Sequence, residues 1–201
     1  NGWLNDELFY VKITDRKGNV TMIEEDEELG KVNFAKIPSL KPVFKKDGTI
    51  TAANASSIND GSAALLVMSE EKANELGLKP LARILGQASA AKAPEWFTTA
   101  PADAMPIALK RAGKTIADMD LFEINEAFSV VVLANNQILG LDANKVNIHG
   151  GAVSIGHPIG CSGARILVSL IFALKRTGGK YGCAGICNGG GGASAMVLEV
   201  L

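Results

Sequence analysis

From about residue 60 to the end, short β-rich runs alternate with helix-patterned stretches, and several of the helices stop at a glycine. Strand–helix alternation of this kind folds as an α/β layered domain around a largely parallel or mixed sheet. The apolar run 63–68 reads as a buried strand. Ser69 can cap a helix over 70–76, with Gly77 as the residue that ends it. A strand is expected at 81–88 and a helix at 101–112, closed by Gly113. Thr115 and Asp118 make a capping-box spacing before a buried strand at 121–124. A helix over 126–139 stops at Gly140, and 146–148 reads as another strand. A helix over 162–177 carries Ile166, Leu167, Leu170, Ile171 and Leu174 on one face, and strands at 181–188 and 194–201 close the chain.

The first part reads differently. Residues 9–14 and 20–23 are β-rich around the turn residues 15–19, which predicts a hairpin. Five acids at 24–28 form a solvated loop or helix start. Lys31, Lys36, Lys41, Lys45 and Lys46, broken by Pro38 and Pro42, predict an extended basic stretch, either a surface linker or a phosphate contact. The composition changes near 40–50, the best candidate for a domain boundary. Charge is balanced, 20 Lys+Arg against 21 Asp+Glu, which argues against a nucleic-acid binder held by bulk charge and against a polybasic membrane anchor. Hydrophobic residues at 47% and charged residues at 20% are globular usage, not disorder. The three cysteines form no even framework and, with two histidines, no zinc spacing, so a secreted disulfide fold and a zinc site are not expected. A cytoplasmic setting is expected, with a mitochondrial one as the alternative. The opening Asn1-Gly2-Trp3-Leu4 has neither an initiator Met nor a signal pattern and reads as the interior of a longer chain.

Glycine is the compositional outlier, 22 of 201 residues, about 11% against a usual ~7%. The glycines surround three places where chemistry could sit. Asn125 follows a strand, and strand ends in α/β sheets face ligand crevices; the alternative is an N-cap for the next helix. His157 lies in the loop Gly150-Gly151-Ala152-Val153-Ser154-Ile155-Gly156-His157-Pro158-Ile159-Gly160-Cys161-Ser162-Gly163, which runs into a helix but fits neither common phosphate-binding fingerprint. Cys187 precedes Asn188 and four glycines, whose bare N–H groups can make an oxyanion hole, with the thiol as a proton shuttle. His149, Cys161 and Cys183 read as structural. Asn, His and Cys on three Gly-flanked strand ends suggest acyl chemistry on a thioester.

The blocks N-E-A-F at 125–128, G-G-A-V-S-I-G-H-P-I-G-C-S-G at 150–163, C-N-G-G-G-G-A-S-A at 187–195 and N-A-S-S-I-N-D-G at 54–61 together resemble the thiolase family, in order and spacing, over essentially the whole chain. The resemblance is greatest to the branch that joins two acetyl-CoA into acetoacetyl-CoA plus CoA. It implies an α/β thiolase-like fold: residues 1–43 as the tail of the loop domain, and 44–201 as a C-terminal domain with a mixed β-sheet packed by helices. It also implies that the N-terminal domain, with the nucleophilic cysteine, lies outside the chain, which would then be inactive alone.

The resemblance assigns His157 to activating that nucleophile and donating to the thioester oxygen, and Asn125 to orienting a water in the same oxyanion hole. Cys187 would handle the α-proton of the second acetyl-CoA, and the Gly189 N–H would serve a second oxyanion hole. For CoA it points to Ser56 at the pantetheine, Ala52 and Phe44 along the tunnel, Ala127 and Phe128 near the thioester, and Lys31 and Lys36 at the nucleotide end. No cofactor is required. Backbone oxygens of Ala52, Ala53, Ala55 and Val153 match a potassium site found in some relatives. Partners are CoA, acetyl-CoA and acetoacetyl-CoA, the missing domain and a homo-oligomer, with no nucleic acid or membrane. An apolar face uncovered by the missing domain is expected. Two other readings stand beside this one: a non-catalytic CoA-binding module, and a self-sufficient thioesterase using Cys187 as nucleophile and His157 as base.

Overall fold

A computed structural model describes residues 2–201; Asn1 lies outside the described residues. The expected hairpin forms from β1 (Val11–Thr14) and β2 (Val20–Ile23), antiparallel with Val11 opposite Ile23. Asp15 makes its turn: Oδ1 accepts from the N–H groups of Lys17 and Asn19 at 2.8 and 2.9 Å, while Gly18 takes a φ of +84°. Helix α1 (Glu28–Lys31) grows out of the acidic run. The basic stretch is not extended throughout, because Phe34–Ser39 coil into a 3-10 turn. Pro38 fits there because its fixed φ suits such a turn, and the Ser39 hydroxyl donates to the Lys36 carbonyl at 2.7 Å.

The strand expected at 63–68 does not form, and Leu66 and Val67 are 83% and 68% exposed. An apolar run makes a strand only where a neighbour completes its ladder, and no described residue pairs with it. Helix α2 (Glu70–Glu75) then starts as read, with the Ser69 hydroxyl accepting from the Lys72 N–H at 3.2 Å and Gly77 at φ +64°.

The central sheet combines β3 (Ala82–Ala91), β4 (Leu121–Ile124), β5 (Tyr181–Cys187) and β6 (Gly192–Val200) in the order β3-β6-β5-β4. Only β4 and β5 run parallel, so the sheet is mixed. Helix α3 (Pro101–Arg111) packs on one face, its Met105, Ala108 and Leu109 meeting Cys183, Ala195 and Val197. Its approach depends on Gly86, where the β3 register shifts; a Cβ there would lie 2.6 Å from the Ala108 carbonyl oxygen.

Helix α4 (Ser129–Leu139) begins three residues later than the sequence suggests, with Phe128 as N-cap, and ends at Gly140 in the left-handed conformation. The strand expected at 146–148 shrinks to one bridge between Val146 and Phe122. Beyond it Asn147 turns at φ +49° and its side chain takes the place of a strand: Oδ1 accepts the Ile124 N–H and Nδ2 donates to the Ile124 carbonyl, both at 2.8 Å.

Helix α5 (Ala152–Ile155) is a single turn, and α6 (Ser162–Thr177) covers the β4–β5 half of the second face with Ile166, Leu170 and Leu174. Its leucines settle over Gly182, where a Cβ would lie 2.8 Å from both Leu170 and Leu174. The rest of that face, with Gln87, Ser89, Ser194 and Met196, borders a groove of about 430 Å³. The early segment carries much exposed apolar surface, including Leu8, Phe9, Tyr10, Val11 and Ile13.

Candidate active site

Parallel pairing of β4 and β5 sets Ile124 opposite Gly185, so the carboxyl ends of both strands open on one side of the sheet. Asn125 is the next residue, fully buried, with its N–H on the Gly185 carbonyl at 3.0 Å. Because α4 starts only at Ser129, Asn125 is no helix cap and its amide is free for other work. It faces His157, with Nδ2 3.4 Å from Nε2.

The glycine loop aims the imidazole. The His157 N–H donates to the Ser57 carbonyl at 2.8 Å. Gly156, at φ +86°, has Asn59 where a side chain would be. Glu126 anchors the other limb: its Oε2 accepts the Val153 N–H at 3.0 Å, and it presses so closely on Gly151 that a Cβ there would lie 2.7 Å away. On the far side of the ring, Nδ1 lies 2.6 Å from the Ser162 hydroxyl, which lies 3.1 Å from the Pro158 carbonyl. A carbonyl only accepts, so the serine proton points to Pro158 and the serine oxygen accepts from His157 Nδ1–H. That leaves Nε2 as a lone-pair base facing the crevice. Burial, helped by the nearby Arg165 charge, holds the imidazole below its ordinary value, so it stays neutral and basic at pH 7. Gly156→Ala is expected to clash with Asn59 and strain the backbone at its positive φ, so it should shift the ring, lower any reaction that depends on it by about 100-fold in kcat, and lower the melting temperature as well.

Cys187 closes β5, 5% exposed, and burial pushes its thiol up. Beyond it Gly190 and Gly191 take φ of +89° and +95°, and the Gly191 carbonyl accepts from Lys92 at 2.9 Å. The exposed Gly189 N–H has no acceptor among the described residues, as an oxyanion donor requires. Cys161 and Cys183 are buried, free, and raised by desolvation, consistent with structural thiols. His149 stacks on Trp3 at 5.1 Å, away from this set.

A second group gathers beside the loop. The Ser56 hydroxyl and N–H both donate to the Ala127 carbonyl, at 2.9 and 3.1 Å, and Phe44 meets Phe128 edge-on at 5.5 Å. Ala55 bridges Phe128 directly. Lys36 is exposed, whereas Lys31 is held by Glu27 and Glu28 at 2.9 Å each, so much of its charge is already met. The carbonyls of Ala52, Ala53, Ala55 and Val153 accept no hydrogen bond among the described residues, which suits neutral-oxygen ligands of a monovalent cation. Ser162 and Glu126 carried no assigned role in the sequence; the only signal was their place, five residues after His157 and one after Asn125.

Behind this site lies Glu123, 2% exposed on β4. Burial raises its carboxyl to about 8, partly offset by Arg165. The folded chain therefore keeps a proton that the unfolded chain loses near the ordinary 4.5, and stability declines as pH rises from about 4.5 to 8. Glu123→Gln is expected to flatten that decline, read as urea midpoints across the same window.

Two family descriptions match: "Thiolase, N-terminal domain" over residues 1–71 and "Thiolase, C-terminal domain" over 78–200. They meet later than the composition change near 40–50. The chain is 59% identical over 201 residues to a probable acetyl-CoA acetyltransferase of Dictyostelium discoideum, covering 100% of this chain and 49% of that protein. It is 58% identical to acetyl-CoA acetyltransferase 1 of Arabidopsis thaliana, over 97% of this chain and 48% of that one. The chain thus spans about half the length of the curated relatives it matches. Among solved structures, the Bacillus anthracis acetyl-CoA acetyltransferase superposes with a TM-score of 0.95 at 46% identity, over 100% of this chain and 51% of that one. Acat5 thiolase from Ascaris suum, solved in complex with coenzyme A, gives 0.87 at 44% identity, over 100% and 50%.

Proposed function

Since this chain belongs to the thiolase family, we propose that it supplies the C-terminal share of an acetyl-CoA C-acetyltransferase, which reversibly joins two acetyl-CoA into acetoacetyl-CoA and CoA. The observation that carries the reading is the Ser162–His157–Asn125 hydrogen-bond series at the open strand ends, with a lone pair on His157 Nε2. In this reading the acyl-accepting cysteine comes from the remaining half of the enzyme. His157 takes its proton, the sulfur gains the acetyl group, and the proton passes to the departing CoA sulfur. Before that last transfer, while Nε2 still carries the proton, the imidazolium N–H and the Asn125 amide, through a water, face the thioester oxygen as donors.

In the second half-reaction Cys187, as thiolate, removes the α-proton of another acetyl-CoA. The carbanion attacks the acetyl carbon, the enzyme sulfur leaves, and Cys187 returns the proton to it. A thiol raised by burial gives a stronger base once ionised, which suits a weakly acidic C–H and disfavours Cys187 as a standing nucleophile. CoA would run past Ser56, Ala52, Phe44, Ala127 and Phe128, with Lys36 nearer its phosphates than the paired Lys31. Ala52, Ala53, Ala55 and Val153 would hold potassium through their carbonyls, stiffening the segment that carries Ser56. A homo-oligomer and a cytoplasmic setting belong to the same proposal.

The test is cleavage of acetoacetyl-CoA by the 201-residue chain alone, with CoA binding followed by calorimetry. Binding without turnover is expected. Turnover that disappears in Cys187→Ala would instead make the chain an enzyme in its own right.

A further inference from the structure

Arg165 lies in the first turn of α6, below the catalytic loop. Its Nη2 is 3.4 Å from Asn125 Oδ1, and its Nε is buried without a partner. Its charge is felt at Glu7 in the segment before β1, at Glu123 on β4, and at His157 and Cys161 in the loop. Ser169, one turn further along α6, donates to the Glu7 carboxylate at 3.0 Å and so fixes one of the acids that feel the half-buried guanidinium.

A guanidinium only donates, so the Asn125 atom it meets must be the amide oxygen. The amide nitrogen is then forced toward His157 Nε2. An amide turned the other way would set two donors against each other at Arg165 and two acceptors against each other at the ring. The imidazole is therefore fixed from both sides: Pro158 and Ser162 orient Nδ1, and Arg165 orients the group that faces Nε2.

We propose that Arg165 is a positioning residue whose guanidinium fixes the Asn125 amide and, through it, presents the Nε2 lone pair of His157 to the crevice. The proposal rests on the functional reading above only for its consequence in catalysis; the geometry stands by itself. The half-buried Glu7 and the buried Glu123 lie near enough to Arg165 to feel its charge, although neither is hydrogen-bonded to it.

The test is the imidazole nitrogen spectrum of His157 in the 201-residue chain, compared among wild type, Arg165→Met and Arg165→Lys. Wild type should show Nε2 as an unprotonated, hydrogen-bonded nitrogen. In both variants that resonance should move, toward a free nitrogen if the amide swings away or toward a protonated one if it flips. Lysine keeps the charge near the acids but lacks the planar fork, so Arg165→Lys carries the test should Arg165→Met fail to fold. An unchanged Nε2 resonance in a folded variant overturns the proposal. In an enzyme assembled with the other thiolase half, the variants should lower kcat at least 10-fold with KM nearly unchanged. An inactive wild-type assembly would count against the functional reading alone and leave the imidazole result to decide this one.

Discussion

His157→Ala should lower acetoacetyl-CoA synthesis by the assembled enzyme about 10³-fold or more, with KM little changed. The size follows from the two duties proposed for one nitrogen. Nε2 receives the nucleophile's proton, and the same N–H then faces the oxygen on which charge develops. General base catalysis is worth typically 10²–10⁴-fold, and one oxyanion donor about 10²–10³-fold. The two share an atom, so the losses overlap rather than multiply. Ser162→Ala should cost less, about 10-fold, because it removes only the acceptor for Nδ1–H. Steady-state kinetics on both variants would check the ranking; an equal or larger loss in Ser162→Ala would contradict the assignment of roles.

Leu170→Ala should be the most damaging single truncation in the α6 core. Leu170 is fully buried, and its side chain fills the hollow above Gly182 between α6 and β5. Gly182 has no side chain with which to fill the space left behind, and the sheet beneath is held by its ladder, so the cavity persists. The expected loss is about 3–5 kcal/mol. For a chain of this size that lowers the melting temperature by roughly 6–20 °C. Calorimetry would test it, and a loss under about 1 kcal/mol would mean that α6 does not sit on the sheet as described.

Much of the sheet and its helices could be read from the sequence because local signals agreed with tertiary demand. Ser69 caps α2 and Gly77 ends it, Thr115 and Asp118 do form a reciprocal capping box, and the apolar stripe of α6 meets the sheet. The failures have a common cause: they needed a partner that periodicity does not name. Residues 63–68 look like a strand but have no ladder among the described residues. Val146 begins a strand that Asn147 ends by spending its side chain on Ile124.

The site was legible as residues but not as a network. Asn125, His157 and Cys187 stood out because glycines surround them or a strand precedes them. Glu126, Ser162 and Arg165 looked like ordinary helix and loop residues, since what distinguishes them is a contact across 27, 5 and 40 positions of chain. Ion pairing, not exposure, separates the two lysines expected near CoA: both are exposed, but Lys31 has two acidic partners in Glu27 and Glu28.

The central claim, that this chain holds one half of a thiolase active site, is tested most directly by reconstitution. The purified chain would be mixed or co-expressed with the N-terminal half of the Dictyostelium discoideum relative, and CoA-dependent cleavage of acetoacetyl-CoA measured. Turnover is expected from the pair, none from either piece, and none from the pair when the chain carries His157→Ala. A well-formed complex of the two halves without activity, or full activity from the His157→Ala pair, would contradict that claim.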